Sequence, residues 1–140
     1  MRWQVSDNDR QFAAAVQDCS ISLDEFDHRA HLKLAYVYLT MHTPDEAVDL
    51  VRGALMGLLE HNNIDTTKYH ETITRAWVLA VFHFMNKSVA SVSADTFIDQ
   101  HPQMLNAKIM MSHYSPETLF SEDARLSFLE PDLSPIPQYA

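Results

Sequence analysis

The segment from Ile73 to Phe84 constrains the fold most. Ile73, Ala76, Trp77, Ala80, Val81 and Phe84 form one helical stripe, and Val78, Leu79 and Phe82 cover the remaining sides. A helix that is apolar nearly all round must be enclosed by other elements, so this one belongs at the centre of a bundle. Its longest apolar run, Ala76 to Phe82, is far shorter than the ~20 residues that cross a bilayer.

The surrounding elements announce themselves through their caps. Thr43-Pro44-Asp45-Glu46 combines an N-cap, a proline at the first helical position and a reciprocal acid. Ser22 followed by Glu25 reads as a capping box without the proline, and Ser6, Thr66 or Thr67, Ser93, Ser115 and Ser121 offer further starts. The main helices are expected at about 7–19, 23–41, 44–61 and 67–87. Shorter ones are expected at about 94–100, 104–113, 116–120 and 122–128. The end of the chain carries Pro131, Pro135 and Pro137, which forbid a helix there. Only two glycines occur, Gly53 and Gly57, which argues against tight hairpins and phosphate-cradling loops. The fold expected is all-α: four main helices in a bundle, short C-terminal helices, one domain over residues 1–130 and an extended proline-rich tail over 131–140.

The formal net charge is -9 with no cluster of Lys or Arg, so nucleic acid and anionic membrane surfaces are disfavoured as partners. The stretch from Met1 to Phe12 has no apolar core of a signal peptide, and a soluble protein of the cytoplasm is expected. Cys19 is the only cysteine and reads as a small packed residue.

Histidine is the unusual component, with eight in 140 residues. On the second helix His28 and His31 lie three apart on the stripe of Leu32, Ala35, Tyr38 and Leu39, with Asp24 one turn earlier. On the fourth, His70 lies three residues before Ile73. Short connections make helices two, three and four antiparallel neighbours in succession, so the second and fourth run parallel. Their first turns then meet at one end of the bundle, beside Glu60 and His61 at the end of the third. Neutral imidazoles and carboxylates are ligands for Zn, Fe or Mn, and bundles build such sites from inward side chains of adjacent helices. His28, His31 and His70 are therefore the candidate ligands of a divalent metal ion, with Glu71 or Asp24 as a fourth ligand or general base. Tyr69 is placed to donate a hydrogen bond to a small-molecule substrate. Core histidines bonded to tyrosines or backbone are the competing reading. On the helical wheel Glu71 lies opposite Ile73 and Trp77, where pairing with Arg75 would account for it. His42, His83, His101 and His113 show no partner pattern.

Phe26-Asp27-His28-Arg29-Ala30-His31-Leu32 and Lys68-Tyr69-His70-Glu71-Thr72-Ile73-Thr74-Arg75-Ala76-Trp77 resemble a family of small, uncharacterised, all-helical bacterial proteins. Tyr114-Ser115, Ala124-Arg125 and Phe128-Leu129-Glu130-Pro131-Asp132 fit the same pattern. The resemblance brings no activity with it, but it singles out His28, His31, Tyr69, His70 and Glu71.

Two functions follow as expectations. One is a metal-binding bundle, with a metal-dependent reaction on a small molecule as its extension. The other is a non-catalytic interaction or homodimerisation module, using the apolar fourth helix, the segment from Met104 to Met111 and the tail.

Overall fold

The computed structural model describes residues 3–136. Among these the architecture is all-α, with no strand and a single isolated bridge between Trp3 and Ser91. The helices are α1 (Asp7–Gln17), α2 (His28–Leu39), α3 (Pro44–His61), α4 (Glu71–Lys87), α5 (Ala94–Gln100), α6 (Pro116–Leu119) and α7 (Glu122–Leu126). Short 3-10 turns lie at Leu23–Glu25, Thr66–Lys68, Pro102–Leu105 and Ala107–Ser112.

The expected capping box of α3 is present. Thr43 accepts from the Glu46 amide, Glu46 returns the bond to the Thr43 amide, and Pro44 opens the helix. α1 starts in the same way on Ser6 and Asp9. The second capping signal, Ser22 and Glu25, yields only a 3-10 turn. Phe26 then leaves helical geometry at ψ 68°, and Asp27 caps α2 through the Ala30 amide. The second helix thus starts at His28 rather than near residue 23, because the stronger cap lies downstream. The fourth is shortened likewise. Thr66–Lys68 is a separate turn capped by Asp65, and α4 begins at Glu71 with His70 as its N-cap. The helix expected at 104–113 is two 3-10 turns divided at Asn106, whose side chain accepts from the Lys108 amide.

α2, α3 and α4 each pack against the other two; α1 covers α2 and α3, α5 covers α2, and α7 covers α4. α4 is enclosed as expected, with Thr72, Ala76, Val78, Leu79, Ala80, Val81 and Met85 buried. α2 is enclosed too: Leu34 to Leu39 are buried without a break. The Tyr36 hydroxyl there donates to the Gln4 carbonyl and is hydrogen-bonded to Ser91 Oγ. The bundle therefore has two central helices instead of one. Full burial of each such Leu or Val contributes about 1.5–3 kcal/mol before entropy is counted.

A second apolar cluster joins α4 to the C-terminal segments through Met110, Tyr114, Leu119 and Ile136. Residues 131–136 carry no helix, as the prolines require, but they are pinned. Asp132 accepts from the Ser115 amide and hydroxyl and from Thr118, while Ile136 is buried. Residues 137–140 of the expected tail lie outside the described residues. No described helix is long and apolar enough to cross a membrane.

Candidate functional site

The first half of α2, the second half of α3 and the first half of α4 surround one cavity of about 550 Å³. This arrangement is the one anticipated from the short connections: α2 and α4 bring their N-terminal turns to the end where α3 finishes. Leu32 and Ala35 of α2, Val51, Leu55, Leu58 and Leu59 of α3, and Ile73, Trp77 and Val78 of α4 make the apolar wall. Leu23 and Phe26 close it from the segment before α2, and Ala107 reaches it from the C-terminal turns. The polar groups of the wall are Asp27, His28, His31, Lys68, Tyr69, His70 and Thr74. A concave apolar space with a few polar groups gathered along part of its lining is the usual form of a small-molecule site.

The three candidate imidazoles converge on this cavity, but each is held differently. His28 donates Nε2–H to the Met104 carbonyl at 2.9 Å and meets the Trp77 ring edge-on at 4.7 Å. It ties the start of α2 to the Pro102–Leu105 turn. His70 is the N-cap of α4: its Nδ1 accepts from the Ile73 amide at 3.0 Å, and its Nε2–H donates to the Leu119 carbonyl at 2.8 Å. Both nitrogens are thereby used and the tautomer is set. The place in the first turn expected for His70 is corrected: it precedes the helix and satisfies backbone groups. Burial holds its pKa below the ordinary histidine value, consistent with a neutral ring that accepts at Nδ1.

His31 is the exception. Its Nδ1–H donates to the Asp27 carbonyl at 2.8 Å, one turn back on its own helix, and Phe26 packs on its ring at 4.3 Å. Nε2 is left as an acceptor with no partner among the described residues. The ring is accessible at the mouth, yet the atoms crowded around it displace enough water to push its pKa down.

Tyr69 and Glu71 form a separate unit. Glu71 opens α4 and turns away from the apolar cavity toward α3. Arg52 grips it as a fork, Nε to Oε1 at 2.9 Å and Nη2 to Oε2 at 2.6 Å. The Tyr69 hydroxyl donates to Oε1 of the same carboxylate at 2.7 Å. Arg75, the partner expected from sequence, instead pairs with Asp45 across the bundle at 2.8 Å. Arg52, followed by the Tyr69 hydroxyl, holds Glu71 below the ordinary carboxylate range. Burial, reinforced by Glu71, pushes Tyr69 well above the ordinary phenol value, so it is a donor and not a base. Tyr69 stands between the apolar cavity and a second, open one of about 550 Å³ lined by Arg52, Glu71, Arg125 and Phe128.

Asp24 lies exposed in the turn before α2, and Glu60 and His61 are exposed at the end of α3; none lines the cavity. Among the described residues no group of three or more His, Cys, Asp or Glu side chains is arranged to hold a metal ion. Three residues escaped the sequence reading. Lys68 lines the cavity; its amide donates to the Asp65 carbonyl and its charge helps to hold the Asp65 carboxylate low, but its ammonium makes no hydrogen bond or close ion pair among the described residues. Arg52 lies on the polar side of α3, where nothing local points to Glu71. Asp27 caps α2 through the Ala30 amide, a role the sequence reading gave to Ser22 upstream. Comparison with protein-family models, with curated proteins and with solved structures returned no match for this chain.

Proposed function

We propose that this protein binds a small, largely apolar molecule in the cavity between α2, α3 and α4. One observation supports this reading above others: a space of about 550 Å³ in a small bundle, walled by aliphatic and aromatic side chains, with polar groups gathered at one end. Cavities that size suit drug-sized ligands, and a bundle selected only for stability tends to fill such a void. The N-phenyl-1-naphthylamine probe, neutral and brighter in apolar surroundings, tests it. Saturable one-to-one binding is expected, and Leu59→Trp, which fills the space from a half-buried wall position, abolishes it without lowering Tm. Binding that is unsaturable, or unchanged by Leu59→Trp, refutes the reading.

A second reading places a divalent metal ion at the mouth. It is favoured by the His31 Nδ1–H bond to a backbone carbonyl, the bond by which metal-ligating histidines orient their other nitrogen. His31 Nε2 would be the first ligand and His28 Nδ1, whose ring is held through Nε2 by Met104, the second, while His70 would join only by giving up two backbone bonds. A rise in Tm with Zn, Fe or Mn salts that disappears in His31→Gln supports this reading; no rise with any of them counts against it.

A further inference from the structure

We infer that the ligand of this cavity is an acid: an apolar body carrying one anionic head group, held at the mouth by Lys68 with His31 beside it. The inference rests on the small-molecule reading above and adds the chemical class. Its basis is the bonding capacity that remains after the protein has satisfied itself. His28 Nε2 is used by Met104, both nitrogens of His70 by Ile73 and Leu119, and the Tyr69 hydroxyl by Glu71. The groups left with open capacity include the Lys68 ammonium and His31 Nε2.

The charge balance of the wall points the same way. Asp27 is its single carboxylate, and Oδ1 caps α2, where the positive end of the helix offsets the charge. Glu71 is outside this cavity and neutralised by Arg52, and Asp65, also outside it, accepts from the Thr67 amide as the cap of the Thr66–Lys68 turn and is shared between Lys68 and Arg125. A cationic ligand would meet Lys68 at the mouth and an acid already engaged in capping. A neutral one would leave the ammonium with water and the longer-range attraction of Asp65. A carboxylate on Lys68 gains a charge-assisted hydrogen bond while its body fills the space lined by Leu55, Leu59 and Trp77. The net charge of -9 repels anions at long range, but screening within about 8 Å at physiological ionic strength leaves the local ammonium in control.

Three probes with the same ten-carbon chain, decanoate, decanol and decylamine, displace the naphthylamine probe from the intact protein and from two variants. Decanoate is expected to bind wild type about tenfold tighter than decanol, the factor that a modest ion pair commands. Lys68→Met is expected to bring decanoate to the level of decanol while decanol binding is unchanged, and Lys68→Arg to keep the preference. Unchanged decanol binding shows that the cavity survives the substitution. Decanoate no tighter than decanol, decylamine tighter than both, or a preference indifferent to Lys68→Met overturns the inference and leaves the small-molecule reading standing. No binding of any of the three overturns both.

Discussion

Arg52 of α3 and Glu71 at the start of α4 meet as a two-pronged fork, both carboxylate oxygens engaged, with the Tyr69 hydroxyl on one of them. The carboxylate is partly buried and less exposed than Arg52, a third of whose side chain meets solvent, so removing the partners has unequal effects. Glu71→Gln keeps the shape and one acceptor, and is expected to cost about 1 kcal/mol after allowance for solvent. Arg52→Met leaves a partly buried carboxylate with only the Tyr69 hydroxyl and is expected to cost more, about 1.5–2 kcal/mol after the same allowance. In a double-mutant cycle by urea denaturation the pair should couple by at least ~0.5 kcal/mol, whereas additive effects would show that the fork is incidental.

The N-cap role of His70 gives an ordered series. His70→Ala loses the cap and strands the Leu119 carbonyl, and is expected to cost about 2–4 kcal/mol. His70→Asn restores the cap without reaching Leu119 and should recover about half of that. If both variants match wild type in urea, neither the cap within α4 nor the bond from His70 to α6 contributes to stability.

Stability is expected to fall on the acid side in two stages. Burial lowers His31, His70, His83 and His101, so the folded protein keeps these rings neutral below the ordinary histidine value. Above about pH 6.5 neither state binds the extra protons; as pH falls through that point the unfolded chain binds them first, and stability declines until the folded rings also titrate. Glu71 is lowered chiefly by Arg52, so its contribution is intact above about pH 4.5 and is lost as pH falls below it. Unfolding free energies at pH 7.5, 6, 5 and 4 check this, and His70→Asn should flatten the first decline. A stability constant from pH 7.5 to 5 would contradict it.

Thr72, fully buried on α4, holds the segment that follows α7: its hydroxyl donates to the Ser127 carbonyl at 2.9 Å and accepts from the Leu129 amide at 3.1 Å. Thr72→Val keeps the volume and leaves both groups unpaired, for an expected cost of about 1–3 kcal/mol. Hydrogen exchange should accelerate at the Leu129 amide far more than in α2. Unchanged exchange at Leu129 would mean that Asp132 and Ile136 hold the segment without Thr72.

The cap of α3 and the enclosure of α4 were legible from sequence because both are local: one lies in four consecutive residues and the other in the spacing of apolar side chains. The meeting of α2, α3 and α4 at one end was legible too, since short connections leave few alternatives. The fate of each polar group there was not. His70 looks like a ligand from its spacing, yet its Nε2 is taken by a carbonyl 49 residues away. Glu71 looks paired with Arg75 by helix geometry, yet the bidentate fork of Arg52, which the bundle sets beside it, engages both of its oxygens. Periodicity reports which side of a helix is apolar and so determines the fold class. Which donor meets which acceptor depends on positions set by the packed chain as a whole, and that is where this cavity, with Lys68 and His31 left over at its edge, was decided.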